Sequence, residues 1–492
     1  MTESISPDSV ESQNIPLDDS VVPSAISHPP SAVSESPREA SNLQSQTLVR
    51  VIETILLIAI IAAGAYLRFV GLDWDTNQHL HPDERFLTMV SSSISSVKSV
   101  SEYFDTPKSS LSPYNKGFGF FVYGTAPIFI VRYVGEGVDA IKAWATGDSE
   151  TMKSIGLALV GTEKSPGVLR AFGAGYDQVH LTGRALSALF DLLSVYIVFL
   201  IGTRLYDRRV GLLASALYAF SVILIQQAHF FTVDSFANTF ISLAIYFSVR
   251  ALDETKWRHY FWFGVFFGLS VASKINAAPL ALTIVLAAFV VLYRAYRKNP
   301  LGLIHSTSLR DASRDPKGLD RLTQDVLVGL VLAGFISLIV FRIAQPYAFD
   351  GFGLNQAWLK NMGEIRGQVT GDVDFPPNHQ WTNRPAFIFP LENMIKWGMG
   401  VPLGIIVWIG FAFSAWQAVR GKFDRHLIPL VWSGVYFAWQ GSQWVKPMRY
   451  FMPIYPTLII LGAWILFVIW DRAIGKRDEY ETITSELDYV DR

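Results

Sequence analysis

The stretch Asn77-Gln78-His79-Leu80-His81-Pro82-Asp83-Glu84-Arg85-Phe86 sets two imidazoles, two adjacent carboxylates and a guanidinium beside the first long apolar segment of the chain. Adjacent carboxylates can serve as a general base with a neighbour that orients the reacting group. As a mere acidic pair in a helix's first turn they would contribute only ~0.3–1 kcal/mol through the helix dipole. The flanking histidines and the position at a segment end favour chemistry. A further carboxylate, Asp234, follows Gln226-Gln227-Ala228-His229-Phe230-Phe231-Thr232-Val233, where it can also cap a helix beginning at Ser235. Lys274 ends another apolar run, and an ammonium there is costly without a counter-charge. Lys446, Arg449 and Tyr450 form a second cationic point. Arg offers bidentate contacts to phosphate and Lys a point charge. His79, His81, His229, His379, Arg384 and Tyr450 are candidates for the walls of a substrate pocket. His79 and His81 with Asp83 and Glu84 make an alternative divalent-metal set; no other cofactor is expected.

These residues need a membrane scaffold to hold them. Of the 492 residues, 50% are hydrophobic and only 17% charged, against about 25% charged in soluble domains. Mean hydropathy is +0.29. The net charge of -1 gives no case for nucleic acid, and the lack of cysteine excludes disulfides, thiolate catalysis and Cys-ligated zinc. Residues 1–47 are rich in Ser, Pro, Glu and Gln and read as a disordered cytoplasmic tail, too polar for a signal peptide. A spanning helix needs ~20 mostly apolar residues. About ten such segments are expected, near 48–70, 182–203, 209–227, 235–251, 259–274, 276–294, 325–344, 398–418, 427–442 and 450–470. The expected fold is all-α and polytopic over 48–475, with a short cytoplasmic tail at 476–492.

Lys and Arg collect on cytoplasmic loops. Placing the five basic loops inside (around Arg204–Arg209, Arg250–Arg258, 294–324, Arg420–Arg425 and Arg472–Arg477) puts both termini in the cytoplasm if the apolar stretch 117–134 does not cross. The segments 71–181, 228–234, 274–276, 345–397 and 443–449 then face outside, and they carry every candidate residue above except Tyr450, which begins the last span. In the first outer loop Pro82 suits a first helical position. Leu87, Val90, Ile94, Val97 and Phe104 keep helical spacing, which reads as an amphipathic helix lying on the membrane. The large loop 345–397, rich in aromatics, Pro and Asn, reads as a lid. Carboxylates, cations and a membrane surface together suit a lipid-linked phosphosugar.

In this arrangement the chain resembles the GT-C superfamily of polytopic glycosyltransferases, within it the protein O-mannosyltransferase and lipid A aminoarabinose transferase group. The likeness rests on His81-Pro82-Asp83-Glu84, Asp234, Lys274, Arg449-Tyr450 followed by Pro453 and Pro456, and Gly183-Arg184-Ala185-Leu186-Ser187-Ala188-Leu189, over about 48–470. It implies an inverting cell-membrane transferase working on the outer face. The donor would be a polyprenyl-phosphate sugar and the acceptor a hydroxyl of a glycolipid, polysaccharide or protein. It further implies Asp83 as general base, Glu84 and Asp234 as orienting groups, and Lys274 and Arg449, with Lys446 beside them, on the donor phosphate. The competing class is a transporter or flippase of lipid-linked sugars. Such a protein should carry its charges near mid-bilayer and show paired broken helices, whereas here they stand at segment ends.

Overall fold

The computed structural model describes residues 37–145, 150–162, 167–298, 318–421 and 425–475. The expected tail at 476–492, residues 1–36 of the expected tail at 1–47, and most of the basic loop 294–324 lie outside them, while 37–47 belongs to a helix. The chain divides after Ile52, within its first helix α1 (Pro37–Phe69), into two compact units, and the second, from Glu53 onward, holds every later element. Then come α2 (Pro82–Ser93), α3 (Val100–Phe104), α4 (Thr125–Ala145), α5 (Glu150–Leu159), α6 (Tyr176–Leu205), α7 (Arg208–Ala219), α8 (Val222–Ala228), α9 (Asp234–Asp253) and α10 (Trp257–Ser273). After these follow α11 (Ala281–Lys298), α12 (Gly318–Ala344), α13 (Gln356–Thr370), α14 (Ile388–Asn393), α15 (Val401–Val419), α16 (Leu427–Ser442) and α17 (Tyr455–Ala473). The one sheet among the described residues is a two-strand hairpin, Phe349–Asp350 with Gly353–Leu354. Helix dominates because a chain in lipid must satisfy its backbone N–H and C=O groups within each segment.

Each of the ten expected spans has a helix under it. Seven helices are long and apolar enough to cross a membrane: Thr47–Phe69 within α1, α6, α9, 275–297, 320–344, α15 and 448–473. α7 and α8 make an eighth if counted as one, bent by 59°. The remaining two, α10 and α16, have 17 and 16 residues. The stretch 117–134 is not one element. It runs irregularly to Gly124 and enters α4, whose charged Arg132, Glu136, Asp139 and Lys142 set it apart from the spanning helices. The basic ends gather at one end of the bundle: Arg204 pairs with Asp253 at 2.6 Å, Arg209 with Asp471 at 3.2 Å, and Arg425 donates to Leu205 O at 3.3 Å.

At the opposite end the single amphipathic helix expected over 87–104 is two helices. α2 stops at Ser93, Ile94 turns extended, and α3 follows. The apolar face of α2 does not lie open to lipid. Leu87 and Val90 are wholly buried in a core with Phe121, Ile128, Phe129, Val179, Phe231 and Phe236. Arg132 of α4 ties down its far end, donating to Ser91 O at 3.1 Å and Ser92 O at 3.3 Å, where the helix dipole favours a cation.

Candidate active site

α2 begins as its sequence dictates. His81 is the N-cap, its Nδ1 accepting the Glu84 N–H at 3.2 Å, and Pro82 takes the first helical position. Burial first, then the positive charge of Arg449, lowers the His81 pKa and keeps the ring neutral and able to accept. Asp83 and Glu84 therefore sit in the first turn and diverge by about 100°, the angular step of an α-helix.

Asp83 turns toward a group of side chains from four other places in the chain. It forms an ion pair with Arg449, and the Tyr123 hydroxyl donates to it. Burial, reinforced by the Asp83 charge, raises the Tyr123 pKa and holds that proton on the phenol. Asp234 pairs with Lys274 at 2.5 Å. Asp234 is the first residue of α9 and not its cap, which is Val233. Lys274 sits where α10 breaks, with φ -152° and ψ 115°, before a short 3-10 turn leads into α11. Tyr450 stands beside both cations: Lys274 Nζ lies 4.3 Å and the Arg449 guanidinium 5.7 Å from its ring centroid. The charges of Asp234 and Asp83 both bear on Arg449. Two carboxylates, two cations and two phenols thus meet at one end of the bundle. Beside them Tyr123, Gly124, Val271, Ile275, Trp358 and Met362 line a groove. Gly124 permits that approach, since a Cβ there would strike the backbone carbonyls of Ala272 and Ser273.

Glu84 faces the other way and is fully buried. Arg184 of α6 grips both its oxygens, at 2.7 and 2.9 Å, and the Phe231 N–H donates to it at 3.0 Å. The same guanidinium reaches Asp75 at 3.0 and 2.9 Å and Leu72 O at 2.7 Å. Burial pushes the Asp75 carboxyl up, but the Arg184 hydrogen bonds and the Leu80 N–H outweigh it and hold it below the usual range. Breaking a buried pair of this kind costs about 3–5 kcal/mol. Glu84 therefore positions Asp83 rather than touching whatever Asp83 touches.

The other candidates have other partners. His79 is buried with its ring centroid 4.5 Å from that of His180. His229 has its ring nitrogens 2.8 Å from Ile225 O and 2.9 Å from Val70 O, joining the end of α8 to the chain after α1. Lys446 donates to the carbonyls of Gln443 and Trp444 at 2.7 and 3.0 Å. His379 pairs with exposed Asp374 at 2.6 Å, and Arg384 lies over Phe389 with 5.3 Å to the ring centroid. The metal set His79, His81, Asp83 and Glu84 does not converge, because each of its members is turned to a different neighbour. Three contributors were not singled out in the sequence: Arg184, Asp75 and Tyr123. Arg184 carried a usable signal, a cation set in an apolar segment and in need of a counter-charge. Tyr123, in an irregular aromatic stretch, carried none.

Residues 173–307 match the family described as dolichyl-phosphate-mannose-protein mannosyltransferase, a segment that holds Arg184, Asp234 and Lys274. Over this segment the chain is similar to a mannosyltransferase family of the GT-C superfamily. No curated protein matches it. Similar solved structures include the Archaeoglobus fulgidus oligosaccharyltransferase in its apo form, 13% identical, with TM-score 0.47 over 89% of this chain and 54% of that one. The same protein in complex with an inhibitory peptide and a dolichol-phosphate is 14% identical, with TM-score 0.44 over 90% of this chain and 54% of that one. ArnT from Cupriavidus metallidurans bound to undecaprenyl phosphate is 15% identical, with TM-score 0.39 over 79% of this chain and 62% of that one. The chain spans about half the length of the oligosaccharyltransferase.

Proposed function

We propose that this chain transfers a sugar from a polyprenyl-phosphate donor to an acceptor hydroxyl on the outer face of the membrane, with inversion at the anomeric carbon. The observation that carries this reading is the paired arrangement of Asp83 with Arg449 and Asp234 with Lys274 around Tyr450. An Asp freed from its cation is a base, and a cation freed from its Asp is an anion site. An arriving phosphate satisfies Arg449 and Lys274 and releases both carboxylates. The acceptor oxygen then attacks the anomeric carbon as its proton passes to Asp83. The bond from that carbon to the phosphate oxygen breaks, and its electron pair leaves with the phosphate. Asp234, released from Lys274, orients the acceptor. With both termini cytoplasmic, this end of the bundle lies outside.

The test is turnover of a polyprenyl-phosphate sugar by Asp83→Asn in detergent. Asn keeps a hydrogen-bonding partner for Arg449 and Tyr123 but cannot take a proton. A loss of roughly 10²–10⁴-fold in kcat with KM for the donor little changed is expected. Wild-type turnover by the properly inserted variant removes Asp83 as base.

A further inference from the structure

Behind Glu84, on the side of α2 away from Asp83, the loop between α1 and α2 and the first turns of α6 bring together donors that the reaction above does not use. One ligand atom each from Asp73, Asp75 and His180 lies within 4.8 Å of the others. Acidic neighbours alone would mean little. His180, however, is wholly buried, and neither of its ring nitrogens has a hydrogen-bond partner. His79 is 5% exposed, stands against it, and has both its nitrogens unpartnered as well. A buried imidazole with nothing to donate to or accept from bears its desolvation cost uncompensated. Two of them side by side, next to carboxylates, are the donors a metal ion would engage.

We propose that Asp73, Asp75 and His180, with His79 as the adjoining donor, form a divalent-metal site of zinc type, separate from the transfer centre. Two imidazoles and two carboxylates suit zinc by donor type. Donors at about 2.1 Å around a tetrahedral ion stand roughly 3.4 Å apart, so the observed cluster closes on an ion by a shift of about an ångström. The charge agrees. Asp73, Asp75 and Glu84 bring three negative charges and Arg184 one positive, leaving a deficit that one divalent cation fills. Asp75 has lone pairs left beyond those engaged by Arg184 and the Leu80 N–H. Asp73 is exposed and opens the site to solvent. Thr76, Asn77 and His79 all have positive φ, so the loop is coiled back to place His79 on α6. The metal fastens this loop to α6, and through Asp75 and Arg184 it steadies the turn that presents Asp83.

The metal site does not depend on the identity of the sugar reaction, and its test reads metal instead of turnover. The full-length protein in detergent is stripped with EDTA, equilibrated with Zn²⁺, freed of excess and analysed for bound metal by mass spectrometry. Wild type is expected to hold about one zinc per chain, with Asp73→Asn and His180→Ala binding at least roughly tenfold more weakly. His81→Ala and His379→Ala are expected to keep the wild-type content. Asp73→Asn changes an exposed side chain, so it carries the test if His180→Ala does not fold. Zinc-edge X-ray absorption should show a first shell of nitrogen and oxygen. Absence of uptake by wild type, equal zinc in wild type and Asp73→Asn, or loss of zinc in His81→Ala with retention in His180→Ala would each overturn the proposal.

Discussion

At the residue scale, the proposed chemistry has each cation serving a carboxylate until a phosphate claims it. Lys274→Met leaves Asp234 buried and unpaired, which costs about 3–5 kcal/mol. Its melting temperature should fall together with its activity. The double variant Lys274→Met with Asp234→Leu removes the orphaned charge and should recover most of the melting temperature while remaining inactive. Recovery of both would mean that the pair only holds the fold, and a double-mutant cycle on the two readouts decides it. Arg449→Lys keeps the charge but loses the two-pronged geometry. A rise in donor KM of ~10–100-fold is expected, the equivalent of 1.5–3 kcal/mol for a charge-assisted contact; an unchanged KM would place the phosphate elsewhere. Lys274, Asp234 and Arg449 were legible in the sequence because each is a charge at the end of an apolar segment, where only a partner makes it tolerable. Glu84 and Asp83 could not be told apart in the same way. Adjacent helical residues point in different directions, and only the position of Arg184, 100 residues away, shows which of them is buried. Lys446, just as basic and just as near in sequence, found backbone carbonyls instead.

At the element scale, Asp83 is only as well placed as α2, and α2 is held by its cap, its core face and the Glu84–Arg184 pair. Gly183 precedes Arg184 and packs against Phe231, whose N–H serves Glu84. A Cβ at 183 would drive into that ring. Gly183→Ala should therefore lower both melting temperature and kcat, although alanine is the better helix former by about 1 kcal/mol. Gly137→Ala in α4, with open space at its Cβ, should leave both at or above wild type. Thermal melts and turnover of the two variants separate propensity from packing, and equal behaviour would remove the role given to Phe231. Capping signals made the start of α2 readable, since Pro82 and the acidic pair after it satisfy known end preferences. Its end was not readable. The apolar spacing through Ile94 and Val97 continues past Ser93, but Ile94 turns extended while staying buried in the same core. Periodicity reports which residues face a core and does not report whether one helix or two carry them there.

At the scale of the whole molecule, the two ends of the bundle differ in kind. One end carries arginines paired with acids at short range, Arg204 with Asp253 and Arg209 with Asp471 among them. The other end carries carboxylate–cation pairs that a ligand can open. The basic loops alone implied this separation, because moving Lys and Arg across a membrane is unfavourable and biosynthesis leaves them on the cytoplasmic side. The same count required 117–134 not to cross, and α4, with four charged residues on a helix that packs beside α2, α6 and α10, agrees with that requirement. Reporter fusions turn the proposed orientation into a measurement. A reporter at position 160 follows α5 and belongs to the end that holds Asp83, while one at position 310 falls in the basic loop before α12. The first should be active only outside and the second only in the cytoplasm. If both report the same side, a segment between them does not cross, the short helix α10 or the bent pair α7–α8 first among them. A third fusion after Gly421 checks the next two spans, since it shares the side of position 310 if α12 and α15 both cross. The location of the chemistry rests on this parity. An even number of crossings separates Asp83 from Asp234, and again from Lys274 and Arg449, so all four reach one surface together.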